Sequence, residues 1–358
     1  MVEFVDWIIE EKFSVEDDLG NKLIPAEFEN PLTKYLPDYV KSSQRNKSDK
    51  NVLPYRYIKE LRNILCPSNA TCFKDLKFAQ STGDASRTGS DWFIVDKSVI
   101  DKNDTDCVYR FRKTSKYEQR RKGLSKEVYE MWFPGTTVLL LTKLLLPLRT
   151  YQVRMLDSGE MDTYKYVQSI RNVTGEWIKN DSHLSQGTEK NPFERGVLRK
   201  FKDKTIQLEM TGFFIKTNKT ADINNEESDK DYDIPWQYEE AQYWLAKLRD
   251  WQMKYNPISQ PAKRTEMTVN HLGGVKDVRI LKQMGEITFL FRDPTSIGHE
   301  HLPIGVRGMD TFWYKTLKQL EVQLKENTSS KEERTLKFVR PERYDLTYYP
   351  LHSSEYHL

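Results

Sequence analysis

Cysteine is scarce in this chain. Only Cys66, Cys72 and Cys107 occur in 358 residues, and no two of them form a C-x-x-C pair. That excludes a disulfide framework and suits a reducing compartment. A tetrahedral zinc site would need a fourth ligand that no spacing supplies, so no metal is expected. Long apolar runs are missing too. The longest, Val138–Leu148, is interrupted by Lys143 and is too short to span a bilayer, so it predicts a buried helix and no membrane partner. The N-terminus, MVEFVDWIIEEKF, is acidic and lacks the basic segment of a signal peptide, which places the expected location in the cytoplasm. An excess of one charge is also absent: 56 Lys and Arg oppose 53 Asp and Glu, for a net charge of +3. Such a balance does not by itself point to nucleic acid, because a DNA binder of this size must gather its positive charge on one face.

Aromatic residues are plentiful: eight Trp, nineteen Tyr and sixteen Phe can supply a core and argue against disorder throughout. Residues 1–50 mix acidic, aromatic and turn residues and end in the polar run KSSQRNKSDKN, which reads as a linker. From residue 54 onward helical spacing dominates. Tyr57, Ile58, Leu61 and Leu65 predict one helix. Ala241, Leu245, Leu248 and Gln252 predict a second over Tyr238–Tyr255. Trp313, Leu317, Leu320 and Leu324 predict a third over Thr311–Glu326. Residues 66–130 read as an irregular insertion with one strand at Asp91–Val95, and residues 220–231 as an acidic loop. Ile206, Leu208 and Met210 alternate with polar residues and predict a half-buried strand ending near Ile215, with Lys216–Lys219 as its turn. The fold class expected is α+β and mainly α-helical, with a small antiparallel sheet.

Two cations occupy informative places in this pattern. Pro147 should break the apolar helix just before Arg149, releasing one guanidinium at a defined angle. Lys216 stands at the strand–turn boundary, with Lys219 as its rival. Near the C-terminus, His352 opens the segment LHSSEYHL. An arginine fork donates paired hydrogen bonds to phosphate oxygens and keeps its charge. A lysine can protonate a leaving oxygen, and a histidine can assist as acid or base. Each side chain alone has an ordinary reading: a helix-end arginine, a turn lysine, one of six histidines. The basic run Arg110–Lys126, with eight Lys or Arg against one Glu and including Arg120 and Arg121, reads equally as a solvated face or a DNA contact.

Taken in order, LPLRTYQVRMLDSGE, FFIKTNKT followed by IPWQYEEAQYWLAKL, and RYDLTYYPLH resemble the catalytic domain of tyrosine recombinases, the phage-integrase family. The long insertions are similar to those of the large integrase-like proteins of bacterial mobile elements. The resemblance implies catalytic roles for Arg149, Lys216 and His352. It implies supporting positions for Gln152 and Asp157, and DNA contacts from Lys219, Arg154, Arg120 and Arg121. Gln152 stands where the family commonly has an acidic residue, and Glu355 where it has a second arginine. The tyrosine nucleophile would lie beyond residue 358. The implied reading is a catalytic-like domain over residues 54–358, incomplete at its C-terminus, preceded by a remnant of a core-binding domain. It would bind double-stranded DNA through phosphates, self-associate on it, need no cofactor, and be inactive in cleavage. A non-catalytic DNA- or protein-binding accessory module of a mobile element is the competing reading.

Overall fold

A computed structural model describes residues 2–16, 22–24, 28, 30–32, 51–82, 91–202, 208–216, 231–274, 277–341, 348–350 and 356–357. Lys219, His352, Glu355 and nearly all of the 220–231 loop lie outside the described residues. The chain divides into two compact units, Met1–Val52 and Leu53–Leu358. In the first, helix α1 (Val2–Phe13) precedes a short antiparallel pair, β1 (Val15–Glu16) with β2 (Lys22–Leu23). The Phe13 and Phe28 rings stack at 4.6 Å, and Asn30 donates to Asp6 at 2.7 Å.

The larger unit is mixed α+β. Along the chain run α2 (Tyr55–Leu65), β3 (Trp92–Val95), β4 (Tyr109–Lys113), α3 (Lys116–Lys122), β5 (Glu127–Trp132), α4 (Gly135–Leu145), α5 (Thr150–Arg154), β6 (Tyr164–Val167) and β7 (Glu176–Lys179). Then follow β8 (Leu198–Lys202), β9 (Glu209–Ile215), β10 (Tyr232–Ile234), α6 (Glu239–Tyr255) and α7 (Val306–Asn327). Helices α2, α4, α6 and α7 enclose the main core, with α4 against both α2 and α6 and α7 against α2 and α4. Helix α4 is buried at every position, as a sequence with apolar residues almost all round requires. Its one charge, Lys143, donates to Thr150 Oγ1 at 2.5 Å, so the lysine ties α4 to α5 across the Pro147 break. The apolar stripe expected on the last long helix, Trp313, Leu317, Leu320 and Leu324, is buried on α7.

Two expectations are corrected. Residues 66–130 are not irregular: β3, β5 and β4 form an antiparallel sheet in that order. The charges that masked it pair across the strands. Arg110 Nε donates to Glu130 at 2.8 Å and Arg112 Nε to the other oxygen of Glu130 at 2.5 Å, so a charge-rich run is a strand. On β9 the inward side chains are Thr211, Phe213 and Ile215, whereas Leu208 is 54% exposed. Met210, of the same alternating set, is half-buried on the other face, and Ile206 lies outside the described residues; a shift of one residue exchanges the two faces of a strand. The β8–β9–β10 sheet is antiparallel, with Leu198 opposite Phe213 and Ile215 opposite Tyr232. At Gly212 a Cβ would lie 2.5 Å from the Ile234 carbonyl oxygen, so a bare backbone lets β10 close on β9.

Candidate functional site

Helix α5 starts one residue after Arg149, whose backbone is extended and whose side chain is exposed. Pro147 and Leu148 carry the chain out of α4, so the sequence break sits where the spacing placed it. Gln152 closes the N-terminus of α5: its Oε1 accepts the Arg149 N–H at 2.9 Å. Its Nε2 donates to Tyr232 Oη at 3.1 Å. A glutamate could do the first but could not donate in the second. Tyr232 pairs with Ile215 in the sheet, and Ile215 precedes Lys216. Gln152 therefore links the element carrying Arg149 to the strand pair carrying Lys216. Gln152→Ala should lose the cap and this link, lowering stability by about 1–2 kcal/mol in urea denaturation.

A second link lies at the other end of α5. The Lys216 ammonium is 3.6 Å from Asp157 Oδ2, and Asp157 is buried. Asp157 Oδ1 accepts from the Gly159 N–H at 3.0 Å and the Thr288 hydroxyl at 2.9 Å, while Oδ2 makes no hydrogen bond. Burial pushes the Asp157 carboxyl up and the Lys216 ammonium down, and each charge holds the other back toward its ionised form. The run Asp157–Asp162 is buried throughout and keeps its carboxylates by giving each its own partners. Glu160 pairs with Arg292. Asp162 accepts the Arg195 and Gly196 N–H groups at 2.7 and 2.8 Å. Gly159, at φ +77°, packs its backbone on Gly196; a Cβ there would sit 3.3 Å from the Gly196 Cα.

Burial, with the nearby Asp157 charge, raises Asp162 to about 7 against those two N–H donors. Burial likewise raises Asp91, which accepts from Thr136, to about 7. A carboxyl raised in the folded state holds its proton where the unfolded chain has lost it. Stability is therefore fully present below about pH 4 for these groups and is lost as the pH climbs through about 7. Wild-type stability should fall across that window, and Asp162→Asn should remove one proton's share of the slope in denaturation curves recorded from pH 4 to 8.

Other expected site residues fall elsewhere. Arg154 is 2% exposed. Its guanidinium donates to the carbonyl oxygens of Ile304 at 2.6 Å, His271 at 2.5 Å and Asn270 at 3.4 Å, and burial lowers its pKa to about 10. These bonds tie α5 to the chain before α7 and leave the group no open face toward DNA. Arg120 and Arg121 are exposed in the last turn of α3, which Ser115 and Glu118 cap at its start and Gly123 ends at φ 64°. Arg121 lies over the Tyr117 ring at 5.8 Å.

One residue beside Lys216 escaped the sequence reading. Arg264 follows a two-residue strand, Ala262–Lys263, and is 2% exposed. Its Nε and Nη1 have no hydrogen-bond partner. Burial lowers its pKa, opposed first by Asp157, and its charge is felt by both Asp157 and Lys216. No hydrophobic period or motif passes through KRTE, so nothing local marked it.

Among the described residues no group of three or more His, Cys, Asp or Glu side chains could hold a metal, and no helix is long and apolar enough to cross a membrane. The fold and site thus define an α+β protein in which Lys216, at the end of a small sheet, is ion-paired with the buried Asp157. The chain belongs to the family described as "Putative integrase", whose model matches residues 1–265. No curated protein and no solved structure matches the chain.

Proposed function

We propose that this integrase-family chain is a double-stranded-DNA-binding recombinase domain of the phosphotyrosine type, with Arg149 and Lys216 directed at one backbone phosphate. The observation that carries the reading is the double tether of α5 to the β9–β10 pair. Gln152 reaches Tyr232 at one end of α5, and Asp157 reaches Lys216 at the other. Two cations 67 positions apart in sequence are thereby fixed on neighbouring elements, and rigid placement is what transition-state stabilisation of a phosphoryl group demands. Arg149 is the exposed fork that grips non-bridging oxygens. Lys216, half-enclosed and ion-paired, is the candidate proton donor to the leaving oxygen. The exposed Arg120 and Arg121 extend phosphate contacts along the duplex.

Binding to a duplex should weaken steeply with salt, and Arg149→Ala and Lys216→Ala should each reduce the slope of log affinity against log salt by about 1. Fluorescence anisotropy with a labelled duplex measures both. Unchanged affinity and slope in both variants would overturn the DNA reading. On a nicked suicide duplex the wild-type polypeptide should form no covalent adduct, because Glu355 stands where the resemblance puts the second arginine, and a carboxylate in that role would repel the phosphodiester. A denaturation-resistant adduct on a gel would overturn that inactivity.

A further inference from the structure

We propose that Lys216 and Arg264 form a pocket for a single phosphate oxyanion, with Lys216 at its mouth and Arg264 as its floor. The Lys216 side chain is 14% exposed, so solvent reaches the cluster from its side. Arg264 is buried, with Nε and Nη1 unpartnered. A guanidinium withdrawn from water without hydrogen bonds is among the costliest groups a fold can keep. Buried Arg154 and Arg292 show how this protein otherwise treats such groups. Arg154 donates to three backbone carbonyls, and Arg292 to Glu160 and to the carbonyls of Asn256 and Phe289.

Arg264 instead lies over the Phe289 ring, 5.9 Å from its centroid, and Phe289 bridges to Asp157, whose Oδ2 also lacks a hydrogen bond. Lys216 approaches that oxygen only to 3.6 Å, an ion pair without hydrogen-bond contact. Donors and an acceptor left without hydrogen bonds in this neighbourhood suit a tetrahedral ligand that carries several acceptor oxygens and, as a monohydrogen or dihydrogen phosphate, a hydroxyl for Asp157. Arg195 acts on both Lys216 and Arg264 with positive charge, while Asp162 acts on Lys216 and Asp231 on Arg264 with negative charge. The ligand chemistry is phosphate, whether free or as a unit of a DNA backbone. Only the second source rests on the recombinase reading above.

The test uses the full chain with inorganic phosphate, against chloride at matched ionic strength, and with a labelled duplex. Phosphate should raise the wild-type melting temperature, and Arg264→Met should abolish that rise. In phosphate-free buffer Arg264→Met should melt at or above wild type, because an uncompensated buried charge has been replaced by an apolar side chain of similar length. A purely structural arginine would give the opposite result. Arg264→Lys keeps the charge but not the fork, and should fold and respond to phosphate more weakly. If Arg264→Met fails to fold, an undiminished response in Arg264→Lys overturns the pocket.

In the duplex arm, Arg264→Met should lower the salt slope by about 1. A lost phosphate response with a wild-type slope keeps the pocket and makes its ligand free phosphate. An Arg264→Met protein that retains both removes the pocket and leaves the DNA reading standing. A phosphate response in a wild-type chain that ignores DNA removes the DNA reading and leaves the pocket.

Discussion

Glu160→Ala is expected to lower folding stability by about 3–5 kcal/mol, a large part of the 5–15 kcal/mol available to a typical domain. Glu160 and Arg292 are both essentially buried and pair with each other. The Ser158 hydroxyl donates to Glu160 at 3.0 Å, and Arg292 Nε donates to the Asn256 carbonyl at 3.0 Å. Gln252 on α6 donates to the carbonyls of Leu290 and Arg292 at 3.1 and 2.8 Å, holding the same loop. Truncating the carboxylate strands a guanidinium in a low-dielectric interior, and that stranded charge dominates the loss. The double variant Glu160→Met with Arg292→Met should recover most of it, because neither charge is then left alone. Urea denaturation of the single and double variants decides the matter. A single-variant loss below about 1 kcal/mol, the ordinary surface range, would mean the pair is not buried as described.

Lys216→Met should separate a structural role from a phosphate role. Removing the ammonium leaves Asp157 buried with one oxygen unpartnered, at an expected loss of about 1–3 kcal/mol at neutral pH. Burial already raises the Asp157 carboxyl, and Lys216 is the strongest influence opposing that rise. Without it the carboxyl rises further. A raised carboxyl contributes stability at acidic pH that is lost as the pH climbs through its folded value, so Lys216→Met should lie closest to wild type in acid and fall away toward neutrality. Lys216→Met with Asp157→Asn should flatten that dependence and restore folding without restoring duplex affinity. Equal pH profiles for Lys216→Met and wild type would show that Asp157 does not depend on Lys216. Recovery of duplex affinity in the double variant would show that the lysine acts only by supporting the fold.

Much of this fold was legible along the chain because its cause is local. The apolar run after Pro134 specifies a buried helix, Pro147 ends it, and the 3.6-residue spacing of Trp313, Leu317, Leu320 and Leu324 fixes the buried face of α7. Tyr348 and Tyr349 lie in the strand Tyr348–Pro350. Residues 91–132 were harder, since Arg110 and Arg112 stand in a run that reads equally as a solvated face or a DNA contact until three strands bring them onto Glu130. Strand β9 was legible as a strand, but its inner face was not, because which side is covered depends on what lies above it.

The sequence by itself determined the long helices, the break at Pro147, the strand that ends at Ile215, the positions of Arg149 and Lys216 at element ends, and, through its resemblance, the integrase family. Tertiary structure alone decided which charges share a neighbourhood. It buried Arg154 against backbone carbonyls, set Gln152 between Arg149 and Tyr232, paired Lys216 with Asp157, and brought Arg264 in from more than a hundred positions past Asp157. The reason is physical. Periodicity and breaks act over a few residues, whereas the cost of a buried charge is set by partners that only the folded chain brings within reach.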